Sequence, residues 1–273
     1  MEKYGTLTII VPCYNEEEVL PETYKELSEI LIGLIHKNKV SKQSKILFVN
    51  DGSKDKTWEL ISKYSEESEI ITGIKFSRNY GHQNALLAGM SVAIKYSDML
   101  ITIDADLQDD VNAIPEMVDK YNDGYDVVYG VRNSRETDTF FKRRTALAFY
   151  SLMKKLGVNL IPDSADYRLL SKRATESLLA FKERNLFLRG MVPLVGYKST
   201  KVYYARKERF AGESKYPLKK MIHFALDGIT SFSIAPIHLI LYLGLLTVAI
   251  SVICMIYVIV EKCLGHVVSG WSS

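Results

Sequence analysis

Apolar and polar positions along the first half of the chain follow a pattern typical of strands separated by helices. The strands are short apolar runs, such as LTIIV at 7–11, which is the pattern of strands buried on both faces. The predicted order is strand 7–11, helix 16–35, strand 45–50, helix 54–65, strand 70–76, helix 83–96, strand 99–103, helix 112–121 and strand 126–129. This alternation predicts an α/β fold built on a mostly parallel sheet with helices on both faces.

A different pattern appears near the end of the chain. Residues 234–260 read IAPIHLILYLGLLTVAISVICMIYVIV, without any Asp, Glu, Lys or Arg. As a helix this run is about 40 Å long, enough to cross a bilayer with some tilt. Lys and Arg crowd the preceding stretch, whereas only Lys262 follows closely. The length of the run predicts a transmembrane helix in the cytoplasmic membrane. The positive-inside rule predicts that the preceding residues lie in the cytoplasm. A buried helix of a soluble core is the weaker alternative, because such a helix does not need so long an uncharged run.

Composition narrows the function classes. The chain has 273 residues, 47% of them hydrophobic, and 35 Lys and Arg against 32 Asp and Glu. This apolar content excludes a disordered chain, and the near-neutral balance argues against a nucleic-acid partner. The three cysteines, Cys13, Cys254 and Cys263, are too few for a disulfide framework and favour a reducing compartment. The N-terminus does not read as a secretory signal peptide.

Polar residues follow three of the predicted strands. They are Pro12, Tyr14, Asn15 and Glu16 after the first strand, Asp51 after the second, and Asp104, Asp106 and Gln108 after the fourth. Ligands of parallel α/β sheets bind beyond the carboxyl ends of the strands, so we expect one crevice lined by these residues. No GxGxxG follows the first strand and no GxxxxGK[ST] occurs, which argues against a Rossmann dehydrogenase and a P-loop NTPase.

The segment ITIDADLQDD carries the clearest chemical signal. Residues two apart in an extended chain point the same way, so Asp104, Asp106 and Gln108 are expected to face one side. Two adjacent carboxylates repel unless a cation lies between them, and hard oxygen ligands suit Mg²⁺ or Mn²⁺. A solvated acidic turn is the alternative.

For Asp51 two interpretations stay open, since a carboxylate there could accept a uracil imide N–H or cap the helix that begins near residue 54.

Several segments together resemble one family. IIVPCYNEEE, VNDGSKDKT, FSRNYGHQNALLAG, DADLQDD, DYRLLSKR and RFAGESKYPLKK resemble the family 2 glycosyltransferases that load sugars onto polyisoprenyl phosphates, of the bactoprenol glucosyltransferase and dolichyl-phosphate mannose synthase types. The resemblance implies a GT-A fold, an inverting reaction, a nucleotide-sugar donor, a divalent cation and a tendency to self-associate. The QxxRW sequence of processive synthases is absent, which favours transfer of a single sugar.

The resemblance also implies roles for individual residues. The nucleotide base and ribose would contact Pro12, Tyr14, Glu16 and Asp51, and Ser77, Arg78 and Asn79 would shape the donor pocket. Apart from the resemblance, Asn15 and Arg132 are further candidates for binding the nucleotide sugar. Asp104 and Asp106 would bind metal and diphosphate, with Gln108 as a further ligand. Asp166 and Arg168 match the family's DFR sequence, here with Tyr167 in place of Phe. Two features depart from the family: DLQDD replaces DLQ followed by two prolines, and a second membrane helix is missing.

The expected acceptor is a lipid monophosphate, which is largely dianionic at neutral pH because its second pKa is near 6. Its phosphate needs cations, and the candidates are Arg132, Arg168, Arg206, Arg209 and Lys215, with Ser214 as a further hydrogen-bond donor. A basic patch attracted to anionic lipids is the alternative for these residues. Asp166 is a candidate for orienting or activating the acceptor, and a structural salt bridge to Arg168 is the alternative.

These observations predict a chain of four parts. A GT-A catalytic domain covers 1–206, a basic acceptor loop and juxtamembrane segment covers 207–233, the transmembrane helix covers 234–260, and the tail 261–273 starts a second membrane segment. We also expect an interfacial helix at 140–156, with an amphipathic core helix as the alternative. The expected activity is transfer of one sugar, with UDP-glucose as donor, to undecaprenyl phosphate. The alternatives are transfer to a glycan or protein, and a non-catalytic scaffold that binds nucleotide sugars.

Overall fold

One seven-stranded sheet organises the part of the chain that is described in this computed structural model, residues 4–133, 161–162, 164–182, 187–205 and 235–265. The elements are β1 (Leu7–Cys13), α1 (Leu20–His36), β2 (Lys45–Asn50), α2 (Thr57–Glu67), β3 (Ile71–Lys75), α3 (His82–Ala93), β4 (Met99–Thr102), α4 (Ile114–Asn122), β5 (Val127–Arg132), β6 (Ser164–Ser171), α5 (Lys172–Leu179), α6 (Leu188–Met191), β7 (Ser199–Tyr204) and α7 (Ala235–Cys263). Two 3₁₀ turns, Val111–Ala113 and Val192–Val195, precede α4 and β7.

The strand order is β3-β2-β1-β4-β6-β5-β7. All neighbours are parallel except β6, which runs antiparallel to both β4 and β5. The predicted α/β architecture with a mostly parallel sheet is therefore confirmed. Because β6 runs backwards, its first residues lie at the carboxyl end of β4, where Thr102 pairs with Arg168. This reversal brings Asp166 to the edge where the crevice was expected.

The sheet is buried on both faces. Along β1, Leu7, Ile9 and Val11 pack into one core and Ile10 packs into the other. Since alternate side chains point to opposite faces of a strand, a strand covered on both sides must be apolar at consecutive positions. This explains the continuous apolar runs of the sequence.

A proline lies within the central strand β1, where a missing N–H normally costs a ladder bond. Pairing of β1 with β4 ends at Ile10 and Thr102, and the last bond on that side runs from Ile103 N–H to the Ile10 carbonyl. Pro12, two residues on, faces the same side beyond the end of β4. The sheet therefore loses no hydrogen bond at Pro12, and β1 continues to Cys13 beside β2.

Three helices begin later than the sequence pattern predicts, and α4 is one of them, since it starts at Ile114 after the 3₁₀ turn Val111–Ala113 instead of at residue 112. We expected α1 from residue 16, but it starts at Leu20, and α2 starts at Thr57 instead of residue 54. The intervening residues bond across the two loops: Lys54 N–H donates to Asn15 Oδ1 at 2.9 Å, and Glu16 N–H donates to Thr57 Oγ1 at 2.9 Å. These bonds connect the two loops just before the helices begin.

The C-terminal helix α7 has the apolar character that the sequence predicts. It runs from Ala235 to Cys263, and its window Ile240–Cys263 has a mean hydropathy of 2.7 with none of it buried. Within the described residues it is the one helix long and apolar enough to cross a membrane. The predicted interfacial helix at 140–156 and the segment 207–233 lie outside the described residues.

Candidate active site

The loops that follow β1 and β2 form one edge of the crevice. Asn15 N–H donates to Ser53 Oγ at 3.0 Å, and Asn15 itself adopts a left-handed conformation with φ of 53°. Asp55 accepts from Thr57 N–H through one carboxylate oxygen and from Glu17 N–H through the other. The predicted nucleotide residues of the first strand end are therefore held by the second loop, with Tyr14, Asn15 and Glu16 partly exposed beside it.

Asp51 is buried at the end of β2, and both of its carboxylate oxygens accept backbone N–H groups of the loop after β3. Oδ1 accepts from Tyr80 at 2.7 Å and Oδ2 from Gly81 at 2.9 Å. The side chain does not cap α2, because Asp55 accepts the Thr57 N–H instead. Of the two interpretations of Asp51, the helix cap is wrong, and the contact with a base stays a prediction.

The segment of Ser77, Arg78 and Asn79 is exposed and lies against the turn after β2. A Cβ at Gly52 would lie 2.3 Å from the carbonyl carbon of Arg78, and Gly52 has a φ of +65°. Only glycine permits both the left-handed conformation and this close approach of two backbones. The Arg78 guanidinium stacks over the Tyr80 ring at 4.7 Å. The predicted donor-pocket residues therefore adjoin Asp51.

The acidic loop after β4 has the alternating exposure that its sequence predicts. Asp104, Asp106 and Gln108 are partly exposed, while the intervening side chains of Ala105 and Leu107 are buried. Asp106 Oδ1 accepts the Gln108 N–H at 3.2 Å, which closes a local turn. Three oxygen-bearing side chains consequently share the open side of this loop.

The chemistry of this donor set fits a divalent cation that shares its coordination with phosphate. Burial is the main cause that raises the pKa of Asp104, and with the charges of Asp109, Asp166 and Asp106, against the opposing effect of His82, the pKa reaches about 6. A cation would relieve this repulsion. Among the described residues no three His, Cys, Asp or Glu side chains form a complete metal site. Mg²⁺ commonly takes only one or two carboxylates and completes its shell with substrate phosphates and water.

Asp166 lies across the crevice and is surrounded by side-chain hydrogen-bond donors and cations. Arg168, two residues along β6 and buried, forms an ion pair with Oδ1. His82 Nε2 and Arg189 Nη2 each lie 3.6 Å from Oδ2, and Gln83 Nε2 lies 3.5 Å from it. Burial alone would raise the pKa of Asp166, but Arg189, His82 and Arg168 hold it well below its usual value. The salt bridge to Arg168 that the sequence left as an alternative is present, within a larger network.

His82, Gln83 and Arg189 are the three members of this cluster that sequence reasoning missed. His82 begins α3, and its Nε2 lies 3.5 Å from Asp104 Oδ1 as well as near Asp166. Burial would lower the pKa of His82, but the carboxylates of Asp104 and Asp166 outweigh it and raise the pKa to about 9. Its place just after a strand-end loop is a signal that could have identified it. No comparable signal marks Arg189, which arrives from the short helix α6.

A second buried cluster anchors the acidic loop from behind. Tyr204 donates to Asp109 Oδ1 at 2.6 Å, and Arg132 Nη2 donates to the same oxygen at 3.2 Å. Arg132 and Tyr204 are register partners on β5 and β7, which explains why they converge. The carboxylate of Asp109 and the ring of Tyr204 hold the pKa of Arg132 above its usual value, against the effect of burial. Arg132 is thus bound to the acidic loop, and its contact with the donor stays a prediction.

The site residues that were predicted between Pro12 and Arg168 all lie at one edge of the sheet in the structure. The predicted acceptor residues Arg206, Arg209, Ser214 and Lys215 lie outside the described residues, so their roles stay predictions.

Known proteins are similar to this chain in sequence and in fold. Residues 8–179 match Glycosyl transferase family 2. The chain is 54% identical over 267 residues to the glycosyltransferase YkoT of Bacillus subtilis strain 168, which covers 98% of this chain and 79% of that protein. It is 36% identical over 269 residues to the prophage bactoprenol glucosyl transferase homolog of Escherichia coli K12, with 98% and 85% covered.

Among solved structures, glucosyl-3-phosphoglycerate synthase from Mycobacterium tuberculosis in complex with Mn²⁺, uridine diphosphate and phosphoglyceric acid matches with a TM-score of 0.56. The identity is 16%, and 83% of this chain and 77% of that chain are covered. At this identity the likeness concerns the fold. Together with the relatives of higher identity, it shows that the chain belongs to glycosyl transferase family 2 and has the GT-A fold.

Proposed function

We propose that the chain is a membrane-anchored inverting glycosyltransferase that moves one sugar from a nucleotide sugar, UDP-glucose, to a polyprenyl phosphate. The observation that carries the proposal is that Asp104 and Asp166 lie on opposite sides of one crevice and that His82 contacts both carboxylates. One carboxylate belongs to the acidic loop expected to face a donor diphosphate, and the other lies among cations suited to an incoming phosphate. Relatives named bactoprenol glucosyl transferase, at 36% identity over nearly the whole chain, support this acceptor class.

On the donor side, the base and ribose would lie against Pro12, Tyr14, Asn15, Glu16 and Asp51, with Ser77, Arg78 and Asn79 at the edge. Asp104 and Asp106, with Gln108, would hold Mg²⁺ or Mn²⁺, which when bound neutralises charge on the leaving diphosphate. A solved fold neighbour that contains Mn²⁺ and uridine diphosphate supports this choice. Arg132, partly exposed and tied to Asp109, would hold the loop and face the donor.

On the acceptor side, a phosphate oxygen attacks the anomeric carbon as the bond to the diphosphate breaks, which inverts that carbon. The acceptor is already largely dianionic, so no proton has to be removed from it. An ionised Asp166, with its lowered pKa, then serves as the counter-ion that fixes Arg168, Arg189 and His82. The predicted basic residues Arg206, Arg209 and Lys215, with the hydroxyl of Ser214, would bind the same phosphate.

The membrane has a direct part in this proposal. Anchored by α7, with 1–206 on the cytoplasmic side and 207–233 at the surface, the crevice would meet lipid head groups at high effective concentration. The apolar window Ile240–Cys263 is long enough for such an anchor. Association of several copies is part of the same expectation, because the family resemblance implies it.

The test is transfer in membranes that contain the chain. With radiolabelled UDP-glucose and undecaprenyl phosphate, we expect label in the organic phase, and none with Asp106→Ala or with a chelator. Label in protein or water-soluble glycan would instead support the alternative acceptors, and binding without transfer would support a scaffold. UDP-N-acetylglucosamine, UDP-galactose and GDP-mannose tested in parallel would identify the donor. No product with any donor would refute the proposed reaction.

A further inference from the structure

Both oxygens of the Asp51 carboxylate bind a turn that leads directly into His82, which contacts Asp104 and Asp166. Its two oxygens accept the consecutive N–H groups of Tyr80 and Gly81 at 2.7 and 2.9 Å, and the side chain is 3% exposed. A buried carboxylate that accepts two backbone N–H groups makes strong, charge-assisted hydrogen bonds. Asp51 therefore fixes the position of the backbone at these two residues.

That turn has a conformation that needs fixing. Gly81 has φ of 93° and ψ of 152°, a region that is essentially restricted to glycine. A Cβ at Gly81 would meet nothing within 4 Å, so the demand for glycine comes from the backbone and not from crowding. The next residue, His82, is the first residue of α3. The direction in which the His82 side chain leaves the helix thus depends on the turn that Asp51 holds.

His82 is the group that lies between the two carboxylates of the crevice. Its Nε2 is 3.5 Å from Asp104 Oδ1 and 3.6 Å from Asp166 Oδ2. The following residue, Gln83, also contacts Asp166 and accepts the Leu188 N–H at 3.0 Å through Oε1. The start of α3 therefore connects the end of β2 with the acidic loop, with β6 and with α6, which carries Arg189.

We propose that Asp51 is a positioning residue for the transfer step, which acts through the turn of Tyr80 and Gly81 to place His82 between Asp104 and Asp166. This role goes beyond any contact of Asp51 with a nucleotide base, and it rests on the proposed function for its catalytic consequence. The two roles differ in what they change. A base contact strengthens nucleotide binding, whereas a positioning contact affects turnover once the donor is bound.

The kinetic test compares Asp51→Asn with Gly81→Ala in full-length chain in membranes. The asparagine opposes one backbone N–H with its own NH₂ group, and the alanine strains the same turn without adding a contact. We expect each variant to lower kcat about tenfold or more, because small misplacements of reacting groups cost that much. The dissociation constant for UDP should stay within about threefold. The double variant should be far less impaired than the product of the two effects, since both act on one turn.

Asp55→Asn is the matched control. Asp55 also accepts two backbone N–H groups, but these belong to Glu17 and Thr57 and lie away from the turn. Asparagine likewise opposes one of these N–H groups with its NH₂ group, but it leaves the bonds to Tyr80 and Gly81 intact, so kcat should stay within about twofold of the original. If Asp51→Asn weakens UDP binding and leaves kcat unchanged while Gly81→Ala is silent, the positioning role is refuted and a base contact alone remains.

A readout that needs no transfer separates this inference from the proposed function. In protein with isotope-labelled histidine, the ring signals of His82 should shift in Asp51→Asn and Gly81→Ala and stay in place in Asp55→Asn. Unfolding temperatures will show whether each variant is folded. An unmoved His82 signal in both turn variants contradicts the inference, even if transfer occurs. Shifted signals in a chain that transfers no sugar would support the contact and refute the proposed reaction.

Discussion

His82 Nε2 lies 3.5 Å from Asp104 Oδ1, so the first residue of α3 is an internal cation for the acidic loop. The two residues come from loops that follow different strands, β3 and β4, which are separated in the sheet by β2 and β1. Their contact joins the segment that resembles the family's donor pocket to the predicted metal ligands. It also makes the stability of the free protein depend on the protonation of one histidine.

Replacing His82 should remove a pH-dependent part of the stability. The pKa of His82 rises from 6.5 to about 9 on folding, so its contribution is complete below pH 6.5 and disappears as the pH rises through 9. We expect the unfolding free energy of the original chain to fall by ~1–3 kcal/mol over this range relative to His82→Gln. Urea denaturation in a chelator at pH 6, 7.5 and 9 would measure it. Parallel curves for the two proteins would contradict the assigned contact.

Asp166→Asn should impair transfer more than donor binding. The substitution leaves Arg168 and Arg189 without their shared carboxylate and so disorders the groups expected to bind the acceptor phosphate. We expect kcat to fall by about 10²-fold or more, while the affinity for UDP changes little. Single-turnover transfer and calorimetric UDP binding would separate the two effects.

The control for this variant is Asp119→Asn, which removes an exposed carboxylate that pairs with Lys39. Exposed pairs contribute little to stability, so this variant should transfer sugar at the original rate. An unchanged rate in Asp166→Asn would remove Asp166 from the mechanism.

Metal binding should weaken below pH 6. Burial and neighbouring carboxylates raise the pKa of Asp104 to about 6, and a protonated carboxyl cannot serve as a metal ligand. In the presence of UDP, we expect the affinity for Mn²⁺ to fall about fivefold between pH 6 and pH 5, because the ionised fraction of a carboxyl with this pKa falls by that factor. Calorimetric titration of Mn²⁺ at several pH values would measure this.

Asp106→Ala should abolish this Mn²⁺ binding and the transfer that depends on it. Asp110→Asn is the control from the same loop, because Asp110 caps the 3₁₀ turn before α4 by accepting the Asn112 N–H, and asparagine can do the same. Full transfer activity of Asp106→Ala in a chelator would argue decisively against a metal role.

The sequence predicted those parts of the structure that depend on local pattern. Buried parallel strands need continuous apolar runs, and residues two apart face one side, so the sheet and the open face of Asp104 and Asp106 were predictable. The partners of Asp166 were not predictable in the same way. Arg189 reaches Asp166 only because β6 runs antiparallel beside β4 and α6 then folds back onto β6, and no spacing in the sequence encodes that return.

Helix starts failed for a related reason. The sequence pattern of α1 and α2 is helical from residues 16 and 54, but the first backbone N–H groups bond to the opposite loop. Such bonds between segments about forty residues apart in sequence are invisible to periodicity. The interpretation of Asp51 as a helix cap failed in the same way, because its partners, Tyr80 and Gly81, belong to a loop beyond the next strand.

Tyr204→Phe should destabilise the fold and the acidic loop together. The hydroxyl of Tyr204 donates to buried Asp109 at 2.6 Å, and Asp109 directly follows Gln108 of the acidic loop. Without the hydroxyl of Tyr204, the buried carboxylate of Asp109 keeps only Arg132 of its two donors, which should cost ~1–3 kcal/mol of unfolding free energy.

Tyr203→Phe is the matched control, because Tyr203 is the neighbouring residue of β7 and is 56% exposed. Its effect on the unfolding free energy should stay within about 0.5 kcal/mol. Urea denaturation of both variants, with Mn²⁺ affinity measured alongside, tests the prediction. Equal stability of the two variants would mean that Asp109 is satisfied without Tyr204, and the acidic loop would then have to be held by Arg132 alone.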